Sequence, residues 1–177
     1  VAPGRFTSKE VGPLVSFRET ALSALLKGAV PQGTVDAEDM PLFIPQRVLD
    51  EVAVMTRASE SEETGGILIG HLHRDASLPE VFAEVTAQIP IEARGEATRL
   101  SFTPDKWTAV RAAVQLRNKR EIYLGYWHSH PVKAWCKDKA KECSLEKQRT
   151  CTRAKDYFSP DDKALLRACF PRAYSVG

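Results

Sequence analysis

From about residue 41 onward, the spacing of apolar residues predicts an alternation of helices and short strands. A helix is predicted over 45–59, because apolar residues recur on one face and a proline stands at a typical first helical position. The glycine-bounded apolar run TGGILIG at 64–70 is typical of a buried strand. Further strands are predicted at 81–89, 98–102 and 121–127.

Two helix starts are marked by a capping hydroxyl followed by proline. Thr103 and Pro104 begin one helix, and Ser159 and Pro160 begin a last helix that runs to about Phe170. The order is then helix, strands, helix, strand, insert, helix and strand. This order predicts an α+β layered domain with a mixed central sheet flanked by helices.

The first forty residues differ in character, because glycine and proline recur along them. Within them, residues 16–27 predict one short amphipathic helix. We interpret 1–40 as an N-terminal extension that packs on another surface. The domain itself is predicted to span 41–177.

Composition narrows the function classes only slightly. The chain has 177 residues, 43% of them apolar, and a net charge of +2, so no global charge indicates nucleic acid or an acidic partner. No apolar run reaches the length of a membrane span, and no secretory signal pattern is present. We therefore expect a cytoplasmic protein without membrane contact.

The segment EIYLGYWHSHP at 121–131 carries two histidines, His128 and His130, at the end of a predicted strand. Side chains at positions i and i+2 of a strand point to the same face, so both imidazoles can reach one point. Neutral imidazole is a common zinc ligand. The alternative is that the two histidines are simply exposed at the end of a strand and bind no metal. His71 and His73 share the spacing, but we expect them at the surface in a hairpin turn.

Acidic residues occur at two further places. In SPDD, Ser159 and Asp162 form an ordinary helix start, but the same geometry puts a hydroxyl and a carboxylate together at the mouth of the helix. Glu62 and Glu63 stand directly before the buried strand. Such acids are usually solvated, whereas one that turned inward toward a metal could act as a general base.

Three segments in order carry a resemblance to a known family: ETGGILIG at 63–70, HSHP at 128–131 and SPDD at 159–162. Together they resemble the JAMM metallopeptidases, also called MPN+ or JAB/Mov34 domains. The resemblance covers about 41–177 and includes the helix at 104–119. It implies a JAB/MPN-like fold.

The resemblance also implies roles for five residues. His128, His130 and Asp162 would be ligands of one catalytic Zn²⁺, which lowers the pKa of water toward about 7 and polarises the scissile carbonyl. Glu63, chosen over its neighbour by the family spacing to the strand glycines, would be the general base. Ser159 would stabilise the oxyanion.

The sequence departs from the family between the second and third motifs. Residues 132–158 form a 27-residue insert with eight Lys or Arg and four Asp or Glu. It contains Cys136, Cys143 and Cys151. These could form a structural zinc site with Cys169 or a histidine, although their spacing differs from standard modules. They could form a disulfide, which an intracellular location disfavours. We favour a flexible basic lid.

The resemblance implies a ubiquitin-like protein or its conjugate as substrate, cleaved after its C-terminal glycine. Its extended tail would bind beside a sheet edge by strand addition. Some bacterial members act beside ubiquitin-like conjugation enzymes, including in antiphage operons, and others process sulfur-carrier proteins.

Two other classes stay open. One is a non-catalytic MPN-type interaction scaffold, although such domains usually lack the ligands. The other is a DNA-associated RadC-like protein that uses the basic insert on phosphates, although acids interrupt the charge of that insert.

Overall fold

The computed structural model describes residues 15–33, 36, 38–59, 62–91, 102–130 and 158–177. The predicted strand at 98–102 lies outside these ranges except for its last residue. The insert at 132–158 lies outside them except for Phe158, so the interpretations of Cys136, Cys143 and Cys151 also concern residues that are not described.

The described residues form five strands and four helices. They are β1 (Phe17–Glu19), α1 (Leu22–Leu26), β2 (Leu42–Phe43), α2 (Gln46–Ala58), β3 (Gly65–Arg74), β4 (Val81–Ile91), α3 (Pro104–Arg117), β5 (Ile122–His128) and α4 (Pro160–Cys169). The α+β prediction is confirmed: a mixed central sheet is flanked by helices, as in a JAB/MPN-like fold. Among the described helices, none has the length and apolar character needed to cross a bilayer.

The centre of the sheet is β3, whose residues are buried from Gly65 to His73. β4 pairs antiparallel with its whole length along one edge. The other edge is shared, because β5 pairs antiparallel with residues 65–70 and β1 pairs parallel with residues 72–74. β2 extends the sheet beyond β4 in a parallel pair. Because a strand buried on both faces needs apolar side chains on both, the unbroken apolar run of β3 fits this central place.

The two faces of the sheet carry separate hydrophobic clusters. On one face, Ile67 and Ile69 pack with Val110 of α3, Tyr126 of β5 and Phe170 at the end of α4. The other face packs against α2 and the chain's last residues; its buried members are Val48, Leu68, Leu72, Ala83, Val85 and Leu124. This layering fixes α4 against the same face of the sheet as α3.

The N-terminal extension differs from its prediction. The expected single helix over 16–27 is wrong, because Phe17–Glu19 forms β1 and only Leu22–Leu26 is helical. Backbone pairing with β3 overrides the local helical pattern at Phe17. The short helix begins where the Leu22 backbone N–H donates to Asp75 Oδ2 at 2.8 Å. Residues of the extension therefore belong to the sheet.

The expectation that His71 and His73 lie at the surface in a turn is also wrong. β3 extends past both residues, and their exposed fractions are 6% and 3%. The His73 ring stacks on Phe82 with centroids 5.3 Å apart, while Nδ1 lies 2.9 Å from Thr20 Oγ1 and Nε2 lies 3.1 Å from Glu84 Oε2. Burial is the main cause that lowers the pKa of both histidines. Burial therefore disfavours the protonated form of both histidines.

A buried carboxylate joins α3 to the sheet. The side chain of Glu121 is fully buried and accepts two hydrogen bonds from Arg117, each 2.7 Å long, and another from the Thr86 hydroxyl. Hydrogen bonding by Arg117 is the largest cause that lowers the pKa of Glu121 to about 2. The carboxylate is therefore ionised in the folded chain across the neutral range.

Glu121→Gln is expected to lower the free energy of unfolding at pH 7 by about 1–3 kcal/mol, because hydrogen bonds to a charged buried group are lost. The wild-type contribution is present above the ordinary pKa of 4.5 and is lost as the pH falls toward 2. Urea unfolding at pH 7 and pH 3 measures this, and the difference between the two proteins should shrink at pH 3. Glu80→Gln, at an exposed position, is the control; a pH-independent difference would contradict the prediction.

Candidate metal centre

The register between β3 and β5 brings two distant sequence motifs together. Gly65 lies opposite His128, and the ladder continues past both strand ends. The Ser129 backbone N–H donates to Thr64 O at 2.7 Å, and the Thr64 N–H donates to Ser129 Oγ at 3.1 Å. Glu63 directly precedes Thr64, and His130 directly follows Ser129, so these two residues flank the pair of hydrogen bonds.

Three potential ligand atoms meet at the end of β5. His128 Nε2 lies 2.9 Å from His130 Nε2 and 3.5 Å from Asp162 Oδ2. All three ligand atoms lie within 4.8 Å of one another, and no other such group occurs among the residues that the structure describes. The buried pair His71 and His73 therefore gains no third ligand in the described part of the chain.

The donor set fits a zinc ion. Zinc is bound by histidine nitrogen at about 2.0–2.1 Å and by carboxylate oxygen at about 2.0–2.2 Å in tetrahedral geometry. Two ligand atoms of such a tetrahedron lie roughly 3.3–3.5 Å apart. The separations of His128 Nε2 from His130 Nε2 and Asp162 Oδ2 are close to this value. The third separation, between His130 and Asp162, is below 4.8 Å, so the three ligand atoms lie near enough to share one ion.

Asp162 comes from the first turn of α4, where it also caps the helix. Its Oδ2 accepts from the Ser159 backbone N–H at 2.7 Å, and its own N–H donates to Ser159 Oγ at 3.1 Å. This reciprocal pair is a capping box. A carboxylate has about four lone-pair positions, so one cap bond leaves room for a metal ligand bond. Capping and ligation are therefore compatible at Asp162.

Glu63 is buried, with 5% of its surface exposed, while Glu62 beside it is exposed. The burial of Tyr126 is the main cause that raises the pKa of its phenol, and the charges of Asp162 and Glu63 raise it further. Both carboxylates therefore lie close enough to act on that phenol. Of the two neighbouring glutamates, Glu63 is the one that turns inward toward the site.

The surroundings of His128 favour its neutral form. Burial is the main cause that lowers its pKa; the charge of Asp162 opposes this shift, and His130 adds to it. The imidazole packs between aromatic rings, nearly parallel to Tyr126 at 5.6 Å and edge-on to Phe158 at 5.6 Å. A neutral imidazole keeps a free nitrogen lone pair, which is the form that binds metal.

Of the five site residues predicted from the sequence, the structure brings the ligand atoms of three together, and it places Ser159 in contact with one of them, Asp162. The fifth, Glu63, is buried, and its predicted role stays a prediction. Two residues that the sequence prediction missed, Tyr126 and Ser129, connect the motifs to one another. Tyr126 had a signal in the sequence, because it stands two positions before His128 and shares its face of the strand. The hydrogen bonds between Ser129 and Thr64 had no signal in the sequence, because they depend on the register of β3 against β5.

The sequence profile of the family described as prokaryotic homologs of the JAB domain matches residues 45–134, which is half of the chain. A search of curated proteins finds no match. Among solved structures, a solution structure of a Desulfitobacterium hafniense protein is similar at 20% identity, covering 63% of this chain and 67% of that chain with a TM-score of 0.39.

The chain belongs to the family of prokaryotic homologs of the JAB domain. The family includes metallopeptidases and often binds zinc, and this member has one candidate His/His/Asp metal site. The matched range includes Glu63, His128 and His130 and stops before Ser159 and Asp162. The family match therefore does not extend to the last two residues, which the geometry of the structure links to the histidines.

The purified chain is expected to bind one zinc ion at this centre. His128→Ala, His130→Ala and Asp162→Asn should each weaken binding more than about 100-fold, which exceeds the usual effect of losing an outer contact. His71→Asn is the matched control, because it alters a buried histidine of the same spacing outside the site. Competition with a chromogenic chelator measures the affinity. An unchanged affinity in the three ligand variants would contradict the prediction.

Ser129→Ala is expected to destabilise the chain by about 1–3 kcal/mol, because the Thr64 N–H loses its acceptor in a partly buried place. Ser129→Thr keeps the hydroxyl and should stay close to wild type. Urea unfolding of the three proteins measures the difference. Equal stabilities of the alanine and threonine variants would show that the hydroxyl has no such role.

Proposed function

We propose that the chain is a zinc-dependent peptidase or isopeptidase that hydrolyses the bond after the C-terminal glycine of a ubiquitin-like protein. The observation that carries this proposal is the convergence of His128, His130 and Asp162, together with the burial of Glu63 beside the paired residues Thr64 and Ser129. Three protein ligands with one position left open are typical of catalytic zinc sites, whereas structural sites are closed by four.

In this proposal Glu63 moves the proton. A bound zinc ion supplies Lewis-acid chemistry that lets water ionise near neutral pH. The Glu63 carboxylate accepts a proton from water as the water oxygen attacks the scissile carbonyl carbon. The same group then gives that proton to the departing amine nitrogen as the C–N bond breaks, leaving a carboxylic acid and a free amine.

Ser159 is proposed to donate a hydrogen bond to the oxyanion that forms on the scissile carbonyl. Its Oγ accepts from the Asp162 N–H, which fixes the oxygen at the start of α4. A hydroxyl that accepts still has its own proton to donate. One such donor typically contributes about 10²–10³ in rate.

The substrate class is proposed from the family together with the open edges of the sheet. Along β5, residues 124–126 are already paired, because the Val176 N–H donates to Leu124 O and the Tyr126 N–H donates to Val176 O. Among the described strands, β4 beyond Glu84 pairs only with β3, and the Arg47 side chain donates to Thr86 O in that stretch. An extended glycine-ended tail is therefore proposed to bind along β4 by strand addition. Activating and conjugating enzymes of a ubiquitin-like system are proposed partners.

The proposed activity predicts cleavage of ubiquitin-like proteins fused through their C-terminal glycine to a reporter. Cleavage should stop with a zinc chelator and return when zinc is added. Glu63→Gln removes the proton acceptor while keeping the size of the side chain, so the rate should fall by about 10²–10⁴. Glu62→Gln is the matched control, because it alters an exposed neighbour and should stay close to wild type.

The outcomes separate the remaining function classes. An equal loss of cleavage rate in Glu63→Gln and Glu62→Gln would show that Glu63 is not the group that transfers the proton. A chain that binds zinc but cleaves no fusion or isopeptide-linked conjugate would contradict the proposed substrate class. A chain that binds no zinc would support the non-catalytic scaffold, and salt-dependent DNA binding would support the RadC-like alternative.

A further inference from the structure

The three proposed metal ligands come from two separate parts of the fold. His128 is the last residue of β5 and His130 follows two positions later, so the two are close along the chain as well as in space. Asp162 follows 32 residues later, at the start of a helix on the other side of the insert. A site of this kind therefore depends on whatever fixes the start of α4 against β5.

Tyr126 makes that connection. It is fully buried and lies on β5, two residues before His128. Its hydroxyl donates a 3.0 Å hydrogen bond to the backbone oxygen of Asp162. Its ring stacks on Phe170 at the end of α4, with centroids 5.8 Å apart and an interplanar angle of 13°. One side chain thus contacts both ends of α4.

Tyr126 also supports the first ligand. Its ring lies nearly parallel to that of His128, at 5.6 Å and 16°. The stacking limits the rotation of the imidazole, while the hydroxyl limits the movement of the helix start.

We propose that Tyr126 is a positioning residue of the metal centre, whose hydroxyl holds Asp162 within reach of His128 and His130. This inference rests on the metal site of the proposed function but not on its substrate or its activity. Groups that orient metal ligands from outside typically change metal affinity by about 10–100-fold when they are altered.

The hydroxyl is separable from the fold in this position. A carbonyl in the first turn of a helix accepts from the N–H four residues on, and its second lone pair is free for another donor. Removing the Tyr126 hydroxyl therefore leaves the Asp162 oxygen with a helical partner. Tyr126→Phe keeps the ring that stacks on His128 and Phe170, so the substitution tests the tie to Asp162 alone.

The experiment measures two quantities in each of four proteins: the zinc affinity, by chelator competition, and the midpoint of thermal unfolding without metal. The four proteins are the wild type, Tyr126→Phe, Asp162→Asn and the double variant. Tyr126→Phe is expected to weaken zinc binding by about tenfold. In the Asp162→Asn background, the same substitution should change affinity less than about twofold, because the group it positions is no longer a carboxylate ligand.

Tyr123→Phe is the matched control. It removes a hydroxyl from the same strand and keeps a ring that packs on Trp107, away from the ligands. Its zinc affinity should equal that of the wild type. Thermal midpoints separate positioning from general stabilisation, because a merely structural hydroxyl would lower the metal-free midpoint without changing the zinc affinity.

Each remaining outcome overturns the inference in a recognisable way. An unchanged zinc affinity in Tyr126→Phe shows that the hydroxyl does not position the site. An equal loss with and without the Asp162 carboxylate shows that Tyr126 acts through another group. If the wild-type chain binds no zinc, the proposed metal site does not exist and this inference is wrong. If the chain binds zinc but has no peptidase activity, the proposed reaction is wrong and this inference is unaffected.

Discussion

The antiparallel pairing of β3 with β5 is the constraint on which the candidate site depends. It sets Gly65 opposite His128 and, through the bonds between Thr64 and Ser129, carries the register beyond both strand ends. A slip of one residue would turn every side chain of a strand to the other face. The apolar residues of β3 are buried on both faces, so the core that stabilises the fold also fixes the position of Glu63.

The capping box of α4 shows that structural and functional interpretations of one motif need not compete. Ser159 and Asp162 satisfy backbone groups at the helix start, as any such pair does. The same bonds orient the Asp162 carboxylate, which the core contact between α4 and the sheet then brings to the histidines. The residues of an ordinary helix start thus lie where the Asp162 side chain can also serve as a metal ligand.

Sequence reasoning succeeded where the information is local. Strand periodicity placed His128 and His130 on one face, and the cap residues marked the start of α4, because both depend on neighbours along the chain. It failed for β1 and for His71 and His73, where partners distant in the sequence decide the outcome. The contact between Tyr126 and Asp162 is of the second kind, since only the packed structure brings the two elements together.

The shared role of Asp162 has a thermodynamic consequence. If the carboxylate that caps α4 also ligates the ion, then fraying of the first helical turn and release of the ion are linked equilibria. Metal occupancy would then be recorded as slower hydrogen exchange in the turn that follows Ser159. Conversely, any partner that binds to the start of α4 and prevents its fraying would raise the affinity of the site for the ion without contacting the ion.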